Sequence, residues 1–343
     1  MEISVLGIDI AKSVFQLHGA DARGNTVLVR KVSRRQLLSV IARIPRCLIG
    51  LEACGGANYW AREFTKLGHE VRLVPARFVK PFVKSNKNDA ADAEAITEAV
   101  TRPNMRFAPG KTIAQQDMQS LHRIRERYIS NRTALCNQIR GLLGEYGIVI
   151  NKGIAQLRTN MVEQLCIESQ KLSEVGIELF RLLRDDLREL DRKIELLDKR
   201  IAQSSREHPA FGRLSEIPGV GPLTASAIIG CVSSPQSFRN GRQFAAWVGL
   251  VPRQYSTGGK TSLGRISKRG NTYLRTLLVH GARTTLKYAS RKKDRTSVWV
   301  EALKKRVGVN KATVALANKN ARVIWALLVH ETDYKMPVIA ATA

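Results

Sequence analysis

The stretch of sequence that decides the fold is Val5–Lys12, VLGIDIAK, which predicts an apolar strand with a single acid, Asp9, inside it. A carboxylate inside an apolar strand costs free energy unless a partner or a cation compensates it. A second apolar strand ends with Glu52, and Asp89 and Asp92 stand three residues apart at the start of an alanine-rich segment. Acids are scarce in so basic a chain, so we expect these four to be placed for a divalent cation.

The segments around these acids predict an α/β domain over residues 1–112. The first strand (Ser4–Ile10) is followed by strands over Val14–Gly19 and Thr26–Val32, which form an antiparallel meander. The next predicted elements are a helix over Arg35–Ile44, a strand over Leu48–Glu52, a helix from Gly55 through Leu67 and a strand over His69–Val74. Three hairpin strands followed by helix, strand, helix and strand is the order of an RNase H-like domain.

In an RNase H-like arrangement the first strand lies beside the fourth, so Asp9 and Glu52 would be neighbours. Asp89 and Asp92, at positions i and i+3, share one face of a helix that can close the site. Such carboxylates hold Mg²⁺ (or Mn²⁺) for the cleavage or transfer of phosphodiesters. Taken alone, Asp89 and Asp92 also suit the first turn of any helix, which favours negative charge.

The charge of the chain predicts a nucleic-acid partner. The formal net charge is +27 over 343 residues. Between Arg239 and His330, twenty Lys and Arg residues face two acids, Asp294 and Glu301. A segment of this kind attracts polyanions and releases their counterions when it binds.

The composition argues against a membrane protein and against a secreted one. No apolar run approaches the length of a membrane span, and no signal peptide opens the sequence. The five cysteines are scattered, without a CxxC pair. We therefore expect no membrane partner and a location in a reducing cytoplasm.

Residues 113–205 are predicted to be wholly helical and to form an arm or spacer. Apolar residues recur there in steps of three and four, which predicts an a/d seam over three heptads: Phe180, Leu183, Leu187, Leu190, Ile194, Leu197 and Ile201. The seam fits a helical hairpin packed within one subunit as well as a coiled coil between subunits.

Residues 206–335 are predicted to form a mainly helical domain, followed by a tail over residues 336–343. The segment Ile217–Gly221, IPGVG, joins two short helices and resembles a helix–hairpin–helix. In that motif Gly219 and Gly221 would let backbone N–H groups approach a phosphate. The alternative is a tight turn between helices with no ligand.

A second candidate for chemistry is a glycine-flanked loop that carries Ser256 and Thr257. The cations predicted around these hydroxyls are Arg253, Lys260, Arg265, Lys268 and Arg269. Cations near a hydroxyl stabilise its alkoxide and the phosphate that it attacks. Read alone, the segment is an ordinary loop, and Ser262 and Ser267 are rival hydroxyls. His280, on an apolar helix, is predicted to be a core residue and not a ligand.

Together these motifs resemble the DEDD-type insertion-sequence transposases, which are bridge-RNA-guided serine recombinases. GIDIAK, LEACGG and KNDAADA are similar to the RuvC-like domain of that family, and IPGVGPLTA, FAAWVGLVPR, YSTGGK and ISKRGNTYLR are similar to its transposase domain. The resemblance covers nearly the whole chain, with both domains in order. It maps the four DEDD acids onto Asp9, Glu52, Asp89 and Asp92.

The resemblance also implies a serine nucleophile, which maps onto one of two residues. Counting forward from GLVPR reaches Thr257, whereas counting back from ISKRG reaches Ser256, because the length of the loop differs by one. We prefer Ser256, since a primary hydroxyl is less hindered, and Thr257 stays the alternative.

The mechanism that the resemblance implies needs DNA, RNA and more than one subunit. A homo-oligomer, from dimer to tetramer, brings two DNA duplexes together, and a structured guide RNA from the element pairs with donor and target. Ser256 attacks the scissile phosphate to give a phosphoserine–DNA intermediate, Mg²⁺ on the four acids assists, and strand exchange and religation follow. A serine ester conserves phosphodiester energy, which agrees with the lack of a P-loop sequence.

Two other functions fit part of the sequence. A RuvC-type junction-resolving endonuclease would need the four acids and water, and would need neither Ser256 nor RNA. A nucleic-acid-binding protein with a degenerate nuclease fold would keep all its function after Asp9→Asn.

Overall fold

The computed structural model describes residues 2–84, 88–159 and 169–335 of the chain. The chain divides into two compact units, Met1–Ile113 and Ala114–Ala343. The predicted tail over residues 336–343 lies outside the described residues, as does Lys87 of the KNDAADA motif. No helix in the described ranges is both long and apolar enough to cross a membrane.

The first unit is built on a five-stranded mixed sheet. Its strands are β1 (Val5–Ile10), β2 (Val14–Ala20), β3 (Thr26–Ser33), β4 (Leu48–Glu52) and β5 (Glu70–Val74). They lie in the order β3-β2-β1-β4-β5. β1, β2 and β3 pair antiparallel, whereas β4 is parallel to both β1 and β5. The predicted meander and the predicted pairing of the first strand with the fourth are both confirmed.

Helices cover both faces of this sheet. They are α1 (Leu37–Ile41), α2 (Ala57–Lys66), α3 (Ala76–Val79) and α4 (Asp89–Val100). Leu6 and Ile8 of β1 share a core with Trp60 and Phe64 of α2. Val5, next to Leu6 on the same strand, packs into a second core with α4. Because successive strand residues point to opposite faces, α2 and α4 lie on opposite sides of the sheet.

The helix predicted over Arg35–Ile44 is shorter than expected. Only Leu37–Ile41 is α-helical, and the amides of Arg43 and Ile44 bond to carbonyls three residues back, at 3.2 and 3.0 Å. Pro45 accounts for the early end of the helix, because the residue before a proline is driven out of the α-helical region.

The position of α4 is fixed by two glycines that are register partners, Gly7 of β1 and Gly50 of β4. A Cβ atom on Gly7 would lie 2.3 Å from Oγ1 of Thr97 and 2.4 Å from the carbonyl oxygen of Ala93. A Cβ atom on Gly50 would lie 3.0 Å from Cγ2 of Ile96. The helix therefore packs directly on the backbone of the two strands whose ends carry Asp9 and Glu52.

We predict that Gly7→Ala destabilises the protein by about 1–3 kcal/mol, because the added methyl group overlaps backbone atoms of α4 that cannot rotate away. Thermal unfolding of the full chain measures the effect. Gly110→Ala is the matched control, since a Cβ atom there meets nothing within 4 Å. Equal melting temperatures for Gly7→Ala and Gly110→Ala would show that α4 does not pack on β1 as described.

The second unit begins with two long antiparallel helices, α5 (Ile113–Glu145) and α6 (Glu174–Arg206). Every seventh residue of the predicted seam is buried, at Phe180, Leu187, Ile194 and Ile201. Phe180 and Leu187 share a core with Cys136, Ile139 and Leu143 of α5. Ion pairs join Arg132 to Asp191 at 2.9 Å and Arg125 to Asp198. The seam is therefore used within the chain, as one of the two interpretations predicted.

The rest of the second unit is mainly helical, as predicted. Its helices are α7 (Pro209–Ser215), α8 (Pro222–Cys231), α9 (Gly241–Val248), α10 (Thr272–Tyr288), α11 (Arg295–Val307) and α12 (Val309–His330). The last of these is buried along its length, at Ala312, Leu316, Ala317, Ala321, Ile324 and Leu327. The other helices of this part pack around it in one core.

The prediction of a loop around Ser256 is wrong. Strands β6 (Pro252–Thr257) and β7 (Lys260–Ile266) pair antiparallel there to form a two-stranded ribbon. Gly258 and Gly259 form its two-residue turn with φ values of +54° and +75°. Two successive residues with positive φ are what a type I′ turn requires, and the Gly-Gly pair was the sequence signal for it.

Candidate functional site

The four predicted acids lie at one end of the first unit. Asp9 is the fifth residue of β1 and Glu52 is the last residue of β4. Both stand two residues after the register partners Gly7 and Gly50, which face α4. Since residues i and i+2 of a strand share a face, both acids point to the α4 side of the sheet, at the ends of two neighbouring parallel strands.

Asp89 and Asp92 reach this end because α4 begins there. Asn88 caps the helix, with its Oδ1 accepting a hydrogen bond of 2.8 Å from the Ala91 amide. Both acids lie in the first turn, as predicted. The position is favourable for negative charge because the free N–H groups of a helix start point towards it.

The environment of Asp9 shows that the four acids influence one another. Burial, followed by the negative charges of Asp92, Asp89 and Glu52, raises the pKa of Asp9 from 3.8 to about 6. A hydrogen bond from the Ile10 backbone opposes this rise. In a protein with a net charge of +27, three other acids thus lie where each makes the ionisation of Asp9 harder.

This donor set has the chemistry that Mg²⁺ prefers, since all four ligands would be hard carboxylate oxygens. Within the described residues, no three His, Cys, Asp or Glu side chains converge closely enough to hold an ion by themselves. Mg²⁺ commonly takes only one or two carboxylates and completes its shell with water and substrate phosphates. The chemistry of the four side chains is therefore that of a magnesium site, and metal binding by these acids stays a prediction.

We predict that Asp9→Asn raises the melting temperature at pH 7.5 in the absence of divalent ions. The pKa of Asp9 is higher in the folded protein than in the unfolded chain. The stability that its protonation provides is therefore complete below about pH 3.8 and is lost as the pH rises through about 6. The gain from Asp9→Asn should shrink below pH 6 and vanish near pH 4 in thermal melts. Glu70→Gln, at an exposed acid of the same unit, should show no such trend; a lower melting temperature of Asp9→Asn at pH 7.5 would contradict the prediction.

The second predicted site, the ribbon, places Ser256 and Thr257 on opposite faces. The cross-strand pairs are Ser256 with Thr261 and Thr257 with Lys260. Ser256 Oγ accepts a hydrogen bond of 2.8 Å from Nε2 of Gln254, two residues earlier on the same strand. The choice between the two hydroxyls is therefore a choice between two faces of the ribbon.

The base of the ribbon is held by close contacts between backbones. The Ser267 amide donates to Val251 O at 2.7 Å, and the Lys268 amide donates to Gly249 O at 3.1 Å. A Cβ atom on Gly270 would lie 1.7 Å from Trp247 O, so only glycine fits there. The ISKRG turn thus rests on the end of α9.

Arg275 lies outside the predicted site residues, and it stabilises the same junction through hydrogen bonds. Its side chain is buried and donates to Val248 O at 2.9 Å and to Thr272 Oγ1 at 3.0 Å. No local motif distinguishes this structural arginine from the other Lys and Arg residues of the segment between Arg239 and His330.

The five predicted cations around the ribbon are all exposed. Within the described parts of the chain, none of them forms an ion pair with an acid: Arg253, Lys260, Arg265, Lys268 and Arg269. The two acids nearby in sequence are engaged elsewhere, since Asp294 caps α11 and Glu301 pairs with Lys304. The positive charge of this surface is therefore available to a polyanion.

The geometry of the IPGVG turn explains why its first glycine, Gly219, is a glycine. Gly219 has a φ of +88°, and a Cβ atom on it would lie 2.7 Å from the carbonyl oxygen of Gly281 of α10. Pro218 O also accepts a hydrogen bond of 2.9 Å from Asn320. Gly221, at the start of α8, has no atom within 4 Å of its Cβ position. The contact of both glycines with phosphate stays a prediction.

The prediction for His280 is wrong, because this residue is exposed on α10. The buried histidine of this region is His122 of α5, which lies 2.9 Å from the Tyr273 hydroxyl and 3.1 Å from the Ser226 hydroxyl. Burial, together with the nearby charge of Arg125, lowers the pKa of His122 to about 4. It is a neutral core residue that ties α5 to α8 and α10.

Comparison with known proteins agrees with the sequence motifs in both units. Residues 6–148 match the family model of DEDD transposases of the IS110 type, and residues 212–297 match that of the IS116/IS110/IS902 transposase family. A probable family 20 transposase of Pseudomonas aeruginosa is 48% identical, over 98% of this chain and 99% of its own. The transposase for insertion sequence element IS1111A of Coxiella burnetii is 44% identical, over 97% of this chain and 92% of its own. The transposase for IS1328 of Yersinia enterocolitica is 38% identical, over 97% and 98%. The chain is therefore a DNA transposase that belongs to the IS110-type family of DEDD insertion-sequence transposases.

Proposed function

We propose that this transposase exchanges DNA strands through a covalent phosphoserine intermediate at Ser256, with a guide RNA that selects the DNA. The observation that carries the proposal is the ribbon itself. It presents Ser256, with a hydrogen-bond donor already on its Oγ, on a surface whose cations have no acid partners in the described residues.

The proposed fold of the first unit is RNase H-like, specifically RuvC-like. The antiparallel meander, the parallel strands β4 and β5 and the strand order β3-β2-β1-β4-β5 support it. So does the position of Asp9 and Glu52 at the ends of adjacent strands, with α4 beginning nearby. On this proposal Asp9, Glu52, Asp89 and Asp92 hold Mg²⁺ or Mn²⁺. When bound, the ion neutralises charge on phosphate oxygens.

The protein's own part in the proposed reaction is to supply the nucleophile and to bind the phosphate. Oγ of Ser256 forms a bond to phosphorus, the bond from phosphorus to a deoxyribose oxygen breaks, and that oxygen takes up a proton as the serine loses its own. The reverse attack by a deoxyribose hydroxyl of another strand restores serine and seals the DNA. Arg253, Lys260 and Arg265 bind the phosphate oxygens as charge develops.

The proposed partners are double-stranded DNA, a structured RNA and further copies of the chain. The segment between Arg239 and His330, with its net charge of +18, supports binding of nucleic acids. The helix–hairpin–helix interpretation of α7 and α8 adds backbone N–H groups near Gly221 to that surface. Leu179, Leu182 and Leu196 are exposed on α6, which supports assembly of a dimer or tetramer through the helical arm.

We predict that a covalent protein–DNA adduct forms and that it is lost in Ser256→Ala and in Asp9→Asn. Denaturing gels detect it after incubation with DNA of the element ends, RNA of the element and Mg²⁺. Thr257→Ala should keep the adduct, because its hydroxyl lies on the other face of the ribbon. Loss in Thr257→Ala alone would move the nucleophile to that residue. Cleaved DNA without an adduct in any lane would replace this proposal with a RuvC-type endonuclease that uses water.

We predict that Mg²⁺ raises the melting temperature of the wild type by about 2–5 °C, since a ligand that binds only the folded state stabilises it. Asp9→Asn and Asp92→Asn should lose this shift, and Glu70→Gln should keep it. Differential scanning fluorimetry with and without Mg²⁺ is sufficient. A shift of the same size in all four proteins would place the ion elsewhere.

A further inference from the structure

The side-chain amide of Gln254 contacts Ser256, the proposed nucleophile. The register of the ribbon brings these two side chains together. Cross-strand pairs join Gln254 to Leu263 and Ser256 to Thr261, so Gln254 and Ser256 share one face. Tyr255 pairs with Ser262 on the other face, where Thr257 also lies. Because side chains alternate along the strand, Gln254 lies on the same face as Ser256 and on the face opposite to Thr257.

The contact between these two residues is short and has a defined direction. Nε2 of Gln254 donates to Oγ of Ser256 at 2.8 Å. Every residue of both strands is exposed up to Arg265, so no buried group holds the serine in place. In the described chain, Gln254 is the side chain that bonds to Ser256 Oγ.

A β-bulge lies next to Gln254, at the edge of the ribbon face that carries Gln254 and Ser256. The pair of Pro252 with Ile266 is followed by the pair of Gln254 with Leu263, so two residues of β7 oppose one of β6. A bulge of this kind increases the local twist and redirects the side chains beside it. Gly264 lies in the bulge, and a Cβ atom there would meet the Tyr255 ring at 3.6 Å.

We propose that Gln254 is a positioning residue for the nucleophile, an inference that rests on the proposed role of Ser256. Its amide N–H occupies one acceptor position of Oγ, which turns the serine O–H hydrogen away from Gln254. The same N–H stabilises the negative charge that grows on Oγ as that hydrogen leaves and the bond to phosphorus forms. A neutral amide does this without repelling the phosphate, which a carboxylate in its place would do.

The test measures the single-turnover rate of adduct formation in the full-length protein with element RNA, end DNA and Mg²⁺, from pH 5 to pH 8.5. Gln254→Ala should lower the rate about tenfold to a hundredfold, the effect expected from losing one hydrogen bond to a charged oxygen. DNA affinity, measured by fluorescence anisotropy, should not change. Gln254→Asn, which is one methylene shorter, should not restore the rate.

Gln254→Glu separates positioning from a merely structural role. At pH 8 the introduced carboxylate repels the phosphate and cannot donate, so this variant should be slower than Gln254→Ala. As the pH falls towards the ordinary glutamate pKa of about 4.3, a growing fraction of the carboxyl group takes up a proton and can donate, so the rate of this variant should rise relative to that of Gln254→Ala. The ratio of the two rates, taken at each pH, cancels the pH dependence of every other group.

Tyr255→Phe is the matched control, because it removes a hydroxyl from the opposite face and keeps the ring. It should react at the wild-type rate. The inference is overturned if Gln254→Ala reacts within twofold of wild type, if Tyr255→Phe loses as much rate as Gln254→Ala, or if the rate ratio does not change with pH. An adduct that persists in Ser256→Ala overturns the proposed nucleophile instead, so the two failures are distinguishable.

Discussion

The first unit depends on the close approach of a helix to the backbone of two strands. Gly7 and Gly50 are register partners, and together they form a flat site without side chains on which α4 packs. Thr97 secures the contact, since its Oγ1 lies 2.9 Å from the carbonyl oxygens of His18 and Ala93. Because Asp9 and Glu52 follow the glycines by two residues, the packing that closes the core also brings the start of α4 to the acids. Core and site are thus set by one contact.

The second unit uses the same physical device at the base of the ribbon. Gly270 lies against Trp247 O, and Gly249 lies against Arg269 O, at distances that exclude any side chain. These contacts join backbone to backbone and contain no side chain that could rotate, so they hold the base of the ribbon rigidly against the end of α9. A two-stranded ribbon has little stability of its own in water. The hydroxyl of Ser256, the proposed nucleophile, is therefore positioned by the junction at the base of the ribbon and by its partner Gln254, and not by a surrounding core.

The sequence predicted the first unit well and the ribbon badly, for a physical reason. Strands that are buried on one or both faces carry apolar residues at regular intervals, and an acid among them stands out, as Asp9 does. The ribbon buries nothing, so its residues alternate without an apolar pattern, and Ser256 lay in what looked like a loop. His280 was misplaced because helix periodicity alone does not show which face is covered, and the buried position belongs to His122 on another helix. The contact of Gln254 with Ser256 needed the strand to be recognised first.

The first unit gathers negative charges and the ribbon gathers positive charges, and in both places repulsion between like charges costs stability. Four acids gathered at one end of a sheet raise the pKa of Asp9 to about 6, so at neutral pH its ionisation works against folding. The ribbon gathers cations that no acid in the described residues neutralises, which leaves self-repulsion at its surface. On the proposed function, a divalent cation neutralises the acids and the phosphates of DNA neutralise the ribbon, so that binding of the substrate relieves both costs. On that proposal the protein is most stable when it holds its substrate, because the bound state removes both costs.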